Sequence, residues 1–474
     1  MKYLYTAATL LAATVSADLC AHGSTDVDGN WYCQEVKAIT YTGVGGEGSY
    51  NKVTSMANGA CGSTPHAYNG TLSPFDEEVS LHFRGPLELK QFAFYAPAAA
   101  APSYSKEKRT VGRRSAIERR HGHAHGHAHA HLHHARDEEK RTPALGEMVT
   151  AVINGVTQTW KNTYDGGAAA PKEGSPAASP PSYGGASAGS AAAPHSYGGA
   201  SSSSTSKKPT TSSSGNDDDD SSSSGGTGWT RQGYYNAEAG TSDGIVFLNH
   251  EGGSGSGVFD YSFGNSLSYS SADGKSGASA PTTLANCQLA SDTEVVIMTD
   301  DKCNAEDGSC GFYRDGTVAY HGFDGPSKAF FFEFSMPDDG TTAANKYDPT
   351  NMPAIWLLNA QIPRTLQYGN AECSCWTTGC GEFDIFEVLA PGDKRCKSTL
   401  HGNIAGGDSD YFARPTSGTI KAALLLYKDN IHIKILDDST DFGKTMGDSF
   451  INEICQDTLA DSLEGLVSLF KLGS

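Results

Sequence analysis

The sequence predicts an all-β protein in which a C-terminal β-sandwich of the jelly-roll type and a small N-terminal Gly-rich β domain are joined by a long disordered linker. Three observations support this prediction. Short apolar segments separated by Gly and Asp turns fill residues 229–474, as is typical of sandwiches. Aromatic, alternating segments occur in residues 18–99. Gly-, Ser- and His-rich tracts, which cannot bury a core, lie between these two regions.

The charge balance argues against nucleic acid as a partner. The 474 residues include 54 Asp and Glu but 35 Lys and Arg, which gives a net charge of −19 at pH 7. Binding of a phosphate backbone requires clustered Lys and Arg.

The N-terminus has the pattern of a secretory signal peptide over residues 1–17. Lys2 supplies the positive charge, an apolar stretch follows, and Val15-Ser16-Ala17 fits a small-x-small cleavage site. A membrane anchor is the alternative, but the stretch is shorter than the roughly 20 residues that a span requires. We therefore expect a secreted, extracellular protein with no membrane attachment after cleavage.

Residues 18–99 are expected to form a disulfide-containing β domain. Strand-like segments occur at Trp31–Val36 and Val79–Phe83, with a Gly-rich turn at 43–48 between them. Asn69-Gly70-Thr71 is a sequon for N-glycosylation, which predicts a glycoprotein with a surface loop at this point.

Low-complexity sequence begins in the segment 100–142. Residues 121–134 form a His run between dibasic pairs, which is either a disordered linker or a binder of copper, nickel or zinc; we favour the linker. A β-hairpin is predicted within residues 143–164, because Asn154-Gly155 stands between β-branched residues. Residues 165–228 are predicted to be a flexible, solvated spacer.

The region 229–474 is long enough for a large core. Its apolar segments are short, and the clearest, Ile431–Ile435, alternates strictly between apolar and polar residues. Strands at this spacing predict the sandwich. The other strand-like segments are Gly244–Leu248, Glu294–Met298, Ala329–Ser335, Ala354–Leu358 and Glu382–Leu389.

The 11 cysteines are expected to form disulfides, because exported proteins meet an oxidising environment. Three lie in the first region and eight in the last. The eight could pair among themselves, in 105 possible ways, and the first three leave one over. A zinc site built on Cys373, Cys375 and Cys380 is the alternative, but no clear histidine partner accompanies them.

Three carboxylates lie within six residues of an otherwise apolar strand: Glu382, Asp384 and Glu387. Acids are disfavoured there, because burial of charge is costly. In a regular strand Glu382 and Asp384 share a face, and Glu387 points to the opposite one. A single β-bulge at Ile385 or Phe386 returns Glu387 to the shared face, and we predict that bulge.

With the bulge, the acids fit a retaining glycosidase, whose two carboxyl groups are roughly 5 Å apart. Glu382 would attack the anomeric carbon. Glu387 would protonate the leaving oxygen and then activate water, and Asp384 would share a hydrogen bond or a proton. Mutual repulsion would raise at least one pKa. An acidic edge strand and a calcium site are the alternatives.

The motif Glu382-x-Asp384-x-x-Glu387 resembles the E-x-D-x-x-E signature of laminarinase-type family 16 glycoside hydrolases. Pro353–Leu358 resembles the family's P-A-I-W strand, whose Trp lines the sugar cleft, and Thr399–Gly402 resembles the strand that brings a His to the site. The resemblance implies a concanavalin-like jelly roll and cleavage of β-glucan.

A second resemblance spans most of the chain. The blocks Asn30–Val36, Tyr41–Gly46 and Cys373–Glu387 are similar to the fungal cell-wall proteins first named as targets of the SBF cell-cycle factor. Membership of this TOS-type family implies endo-β-1,3-glucanase activity at the yeast cell wall, a Gly-rich N-terminal domain and a C-terminal hydrolase-like domain.

Five residues are candidates for substrate binding. Trp356 and Trp376 could stack on the apolar face of a sugar, and Trp356 is the favoured one. His401 could bond a sugar hydroxyl, and Asn359 and Tyr368 could line the cleft. Each also has an ordinary structural interpretation as a packed or internally hydrogen-bonded side chain.

We therefore expect a secreted endo-β-1,3-glucanase of the cell wall that acts on β-glucan by a retaining mechanism, without a cofactor or a metal. A β-glucan transglycosylase would use the same covalent intermediate. A non-catalytic wall-binding or structural glycoprotein is the alternative from a different class. No prediction is made of the oligomeric state.

Overall fold

A computed structural model describes residues 24–27, 30–98, 148–153, 156–161, 228–306, 308–342, 349–456 and 467–472. The predicted signal peptide, the His run and residues 165–227 of the predicted spacer lie outside the described residues. No helix among the described residues has the length and apolar character needed to cross a membrane.

The described residues are mostly β-strand, which confirms the predicted all-β class. Before the low-complexity region the strands are β1 (Thr25–Val27), β2 (Asn30–Tyr32), β3 (Ala38–Thr42), β4 (Gly45–Ala57), β5 (Ala60–Thr71), β6 (Val79–Arg84) and β7 (Glu88–Pro97). Within it lie β8 (Met148–Ile153) and β9 (Val156–Lys161).

After it come β10 (Trp229–Asn236), β11 (Thr241–Asp243), β12 (Ile245–Asn249), β13 (Phe259–Asp260), β14 (Gly264–Asn265), β15 (Ser268–Ser270), β16 (Gly277–Ala278), β17 (Glu294–Thr299), β18 (Lys328–Ser335), β19 (Ala354–Asn359), β20 (Glu382–Glu387), β21 (Arg395–His401), β22 (Gly406–Gly407), β23 (Phe412–Ala413), β24 (Ile420–Tyr427), β25 (Asn430–Leu436), β26 (Thr445–Met446) and β27 (Val467–Lys471). The helical elements are α1 (Gln361–Thr365), α2 (Asp448–Ile454) and the 3-10 turns Ala371–Cys373 and Trp376–Thr378.

Two large sheets contain most of these strands. Sheet I has the order β11-β10-β7-β18-β24-β25-β3-β27, with β26 paired to β10, and its pairs are antiparallel except for β3 and β27. Sheet II has the order β16-β15-β12-β17-β6-β19-β20-β21-β22, with β23 paired to β21. Small two-stranded sheets join β1 to β2, β4 to β5, β8 to β9 and β13 to β14.

The main core lies between the apolar faces of the two sheets. Phe83 of sheet II contacts Phe92 and Phe332 of sheet I, with ring centroids 6.4 and 6.1 Å apart. Further buried side chains from both sheets fill the same layer, as the alternation of apolar residues along each strand requires. The predicted sandwich is therefore present.

The sequence predicted two folded domains, but the order of strands in the sheets shows that both regions belong to one sandwich. β6 lies between β17 and β19 in sheet II, while β7 lies between β10 and β18 in sheet I. A separate domain would have a core of its own, but Leu81 and Phe94 belong to the same core as Ile355 and Leu424. Residues 24–98 and 228–472 thus build one compact unit.

The hairpin of β4 and β5 is long and belongs to neither large sheet. Its strands pair from Gly45 opposite Thr71 to Ala57 opposite Ala60. Both turn residues, Asn58 and Gly59, have positive φ (53° and 78°), as the tight turn of a two-residue hairpin requires.

Three disulfides have both partners among the described residues: Cys61–Cys373, Cys303–Cys310 and Cys375–Cys380. The first joins β5 to a 3-10 turn 312 residues later. The eight C-terminal cysteines therefore do not pair only among themselves. The zinc alternative also fails, because all three of its sulfurs are in disulfides.

The hairpin predicted around Asn154-Gly155 is confirmed. β8 and β9 pair antiparallel along their whole length, and Ile153 lies opposite Val156. This hairpin belongs to a separate compact unit.

Cleavage at a dibasic pair between residues 99 and 147 is predicted to leave one folded particle, because β6 and β7 are hydrogen-bonded between strands of the C-terminal region. The test uses the variant Cys61→Ser, Cys373→Ser, so that this disulfide does not hold the fragments together. Native size exclusion should show one peak that contains both fragments. A separately eluting N-terminal fragment that melts cooperatively would contradict the single sandwich.

Candidate active site

The strand that carries the three acids contains the predicted bulge. On its β19 side, Trp356 lies opposite Asp384, whereas the preceding residue, Ile355, lies opposite Phe386. Ile385 is therefore an extra residue with no partner of its own across the ladder. The bulge predicted at Ile385 or Phe386 is confirmed.

The ladder on the β21 side shows the same one-residue shift. Asp384 pairs with Thr399 and Glu387 pairs with Lys397. An advance of three residues along β20 therefore corresponds to an advance of only two along β21. Glu382 pairs with a residue two positions beyond Thr399. The partners of the three acids on β21 are thus spaced two residues apart. The acids therefore lie on one face of the sheet.

The local sequence explains the bulge. Ile385 and Phe386 are adjacent, and both are buried in the core between the sheets, whereas a regular strand would turn one of them outward. Glu387 then returns to the outer face. Gly381 begins this arrangement with φ of 105°, and a Cβ there would lie 3.0 Å from the Phe75 ring, so glycine suits this position.

All three acids line one cleft of about 330 Å³ on the outer face of sheet II. β20 lies between β19 and β21, which excludes the edge-strand alternative. The calcium alternative gains no support. Among the described residues, two groups of side chains have ligand atoms close enough together to hold a metal ion, and the three acids belong to neither group. The other lining residues are Arg84, Trp356, Leu358, Ile362, Gln367, Tyr368 and Trp376.

The cleft favours the neutral form of the outer two acids. Burial raises the pKa of Glu382 to about 7, and the charge of Asp384 adds to this rise. Burial raises the pKa of Glu387 to about 8; Asp384 again adds to the rise and Arg84 opposes it. Loss of hydration and like charge act in the same direction here. Both outer acids therefore keep a proton up to a higher pH than an exposed glutamate does.

The middle acid has a cationic partner. Nε2 of His401 lies 2.9 Å from Oδ2 of Asp384. Burial acts to lower the pKa of His401, but the hydrogen bond and charge of Asp384, together with the charges of Glu382 and Glu387, raise it to about 9. An imidazolium therefore stands beside the acids near neutral pH.

Each outer acid also has a partner of its own. The indole Nε1 of Trp376 donates a hydrogen bond to Oε2 of Glu382. Nη2 of Arg84 lies 3.7 Å from Oε1 of Glu387. The guanidinium is held in place by the carbonyl of Met352, at 2.9 Å from Nε, and by the Trp356 ring, whose centroid is 5.6 Å away.

The aromatic candidates differ in what they offer a ligand. Trp356 is 4% exposed and stacks on His82 with ring centroids 5.1 Å apart, so it forms the floor of the cleft. Trp376 is 47% exposed and Tyr368 is 59% exposed. Both tryptophans line the cleft, and the ring that is open for stacking on a ligand is that of Trp376.

Asn359 does not line this cleft, which corrects its assignment as a cleft residue. It is buried, its Nδ2 donates to Oε2 of Glu77 at 3.0 Å, and its Oδ1 accepts from the backbone N of Gln361 at 3.0 Å. Its polar atoms are therefore used internally, as in its ordinary structural interpretation.

Disulfides hold the loop that presents Trp376. Cys375, its neighbour, is bonded to Cys380, and the Cys61–Cys373 bond fastens the start of the loop to β5. The hairpin of β4 and β5 adds a hydrogen bond of 2.9 Å from the backbone N of Asn51 to Oγ1 of Thr378. The N-terminal part of the chain therefore helps to position a residue of the cleft.

Sequence reasoning missed the polar wall of the cleft. Glu294 accepts hydrogen bonds from Tyr368 Oη at 2.6 Å and from Gln367 Nε2 at 2.9 Å, and it lies 2.7 Å from Nδ1 of His82. Despite burial, bonds from His250 and His82 hold the pKa of Glu294 well below its usual value. His82, His250 and Glu294 stand far apart in the sequence and share no motif, so only the fold brings them together.

Comparison with protein families gives two matches. The model described as cell wall protein YJL171C/Tos1, C-terminal, matches residues 227–454, and the corresponding N-terminal model matches residues 37–97. No solved structure gives a significant match.

Similar proteins occur in several fungi. A Candida albicans protein named probable circularly permuted 1,3-beta-glucanase TOS1 is 42% identical over 93% of this chain and 94% of its own length. A Saccharomyces cerevisiae protein of the same name is 40% identical over 94% of each chain. An Arthroderma benhamiae protein named probable circularly permuted 1,3-beta-glucanase is 38% identical over 96% of this chain and 97% of its own.

Replacement of Arg84 by methionine is predicted to move the titration of Glu387 to higher pH, because the nearest cationic partner of that carboxylate is lost. Carboxyl NMR of protein labelled with [δ-¹³C]glutamate measures the effect, and the Glu387→Gln spectrum assigns the signal. Lys428→Met removes a cation remote from the cleft and should leave the curve unchanged. An unchanged or lower midpoint in Arg84→Met would refute the electrostatic description.

Proposed function

This chain belongs to the YJL171C/Tos1 family of cell wall proteins, and on that premise we propose that it is a secreted endo-β-1,3-glucanase that acts on cell-wall β-glucan with retention of configuration. The observation that carries the proposal is the bulge that brings Glu382, Asp384 and Glu387 to one cleft. The names of the relatives supply the substrate class, and the signal-peptide pattern supports secretion.

The names of the relatives also say that they are circularly permuted, and we extend that description to this chain. The strand order supports it. β3, β6 and β7 precede the low-complexity region, yet each lies between strands that follow it. A sandwich cut open at one connection and rejoined at another would give this arrangement.

In the proposed first step, the Glu382 carboxylate attacks the anomeric carbon of the bound glucan. The bond from that carbon to the glycosidic oxygen breaks, and the proton of Glu387 passes to the departing oxygen. The raised pKa of Glu387 suits the role of acid, because a carboxyl group with a pKa of about 8 keeps a proton to donate near neutral pH. Asp384 lies between them and is hydrogen-bonded to His401.

In the second step, the Glu387 carboxylate accepts a proton from an incoming hydroxyl group, whose oxygen attacks the anomeric carbon and releases Glu382. With water the reaction is hydrolysis, and with a sugar hydroxyl it is transglycosylation. The exposed ring of Trp376, beside Glu382, would stack on the apolar face of a sugar. Product sizes on β-1,3-oligosaccharides distinguish the two outcomes.

Glu382→Gln and Glu387→Gln are each predicted to lower reducing-sugar release from laminarin strongly, by about 10²- to 10⁴-fold for the acid/base. Glu453→Gln, on α2, is the matched control and should retain activity. Proton NMR of the first product should show the β-anomer. If wild type and variants release equally little sugar while still binding laminarin, the protein is a wall-binding glycoprotein instead.

The pH profile of kcat/KM is predicted to be bell-shaped near neutral pH. Activity should fall at low pH as Glu382 gains a proton, and at high pH as Glu387 loses its proton, in line with pKa values raised to about 7 and about 8. Glu387→Gln should abolish the alkaline limb of its residual activity. Persistence of that limb would contradict the assignment of the acid.

A further inference from the structure

A cluster of metal-ligand type lies behind Tyr368 and Gln367, two residues that line the cleft of the acids. Nδ1 or Nε2 of His82 and His250 and a carboxylate oxygen of Glu294 all lie within 4.8 Å of one another. We propose that these three side chains bind one divalent transition-metal ion of the zinc class, at a site separate from the three acids. Two imidazoles and one carboxylate are a donor set that zinc uses in proteins.

The distances between the ligand atoms are close to those of a loaded site. His82 Nδ1 and Glu294 Oε1 are 2.7 Å apart, and His250 Nε2 is 3.7 Å from the same oxygen. Tetrahedral zinc with ligands at about 2.0–2.1 Å separates them by about 3.3–3.4 Å. The first of these two contacts must open and the second must close, each by less than 1 Å. The two imidazole nitrogens lie within 4.8 Å of each other.

The surroundings orient two of the ligands. Nε2 of His82 lies 2.8 Å from Oγ of Ser80, which in turn lies 3.4 Å from the carbonyl oxygen of Leu358. The hydroxyl can therefore donate to the ring, or accept from it while donating to the carbonyl, so it supports either tautomer of His82. Oε2 of Glu294 accepts from Tyr368. Such outer hydrogen bonds are typical of ligands in metal sites.

A fourth ligand and an entry route are also present. Oε1 of Gln367 lies 2.8 Å from Nε2 of His250, where it can complete the coordination. His250 and Glu294 line a second cavity of about 290 Å³, which shares Tyr368 with the cleft of the acids. The side chain of His82 is fully buried, but that of His250 is 17% exposed, so an ion can reach the site from this cavity.

The other cluster of this type in the described residues, Cys303, Cys310 and His321, does not compete, because its two sulfurs form a disulfide. The ion proposed at Glu294 would have a positioning role. It would fix the carboxylate that holds Tyr368 and Gln367, and thereby the wall of the cleft. The proposal does not depend on glucanase activity.

The test is a Zn²⁺ titration of the EDTA-treated full-length chain by calorimetry. Wild type should bind one equivalent of Zn²⁺ tightly. This binding should be absent from His250→Ala, and its affinity should be about 10- to 100-fold lower in Ser80→Ala. His66→Ala is the matched control, because His66 forms a similar pair with Glu77 at 3.0 Å outside this cluster. The His run is present in all variants and contributes the same background. Identical titrations of wild type and His250→Ala would overturn the proposal.

A second measurement, of melting temperature, tests the proposal if His250→Ala folds poorly. Zn²⁺ should raise the melting temperature of wild type and His66→Ala, reversibly with EDTA, since an ion that binds the native state stabilises it. The rise should be lost in His250→Gln, which keeps a polar side chain. An equal rise in His250→Gln would show that the ion binds elsewhere and that the cluster is a hydrogen-bonded network alone.

Discussion

The one-residue bulge in β20 is the constraint on which the rest of the site depends. It turns two adjacent apolar side chains, Ile385 and Phe386, into the core and returns Glu387 to the outer face with Glu382 and Asp384. A side-chain period of two would otherwise separate the acids by the thickness of the sheet. The apolar pair thus fixes the position of the polar trio, since reversal of the bulge would expose a buried phenylalanine or isoleucine.

The cleft then gives the gathered acids different partners. Burial and the charge of Asp384 raise the pKa of both outer acids, and one partner of each opposes the rise: an indole donor for Glu382 and a guanidinium for Glu387. The middle acid is paired with a histidine. Distant parts of the sequence contribute to both outer acids. Arg84 lies on β6, within the N-terminal region. Trp376 is close to Glu382 in the sequence, but its loop is fastened to β5 by a disulfide.

Local features of this site were readable from the sequence, and long-range ones were not. The acid spacing implied the bulge, because adjacent apolar residues and an odd offset admit few solutions in a strand. The partner of β6 and the partner of Cys61 could not be inferred, because alternation identifies strands without naming their neighbours. Low-complexity sequence also suggested a domain boundary where the fold has none. Residue type suggested that Trp356 and Asn359 contact a ligand. It could not indicate that Trp356 packs on His82, or that Asn359 is hydrogen-bonded to Glu77 and Gln361.

The central claim, that the bulge assembles a nucleophile and an acid for double displacement, is tested most directly by trapping the covalent intermediate. A 2-deoxy-2-fluoro-laminaribiosyl fluoride slows the second step more than the first, so that the glycosyl-enzyme accumulates. Peptide mass spectrometry should then locate one added disaccharide on Glu382, and Glu387→Gln should still form the adduct from this activated donor. Label on another residue, or turnover of the fluoride with inversion and without any adduct, would contradict the account.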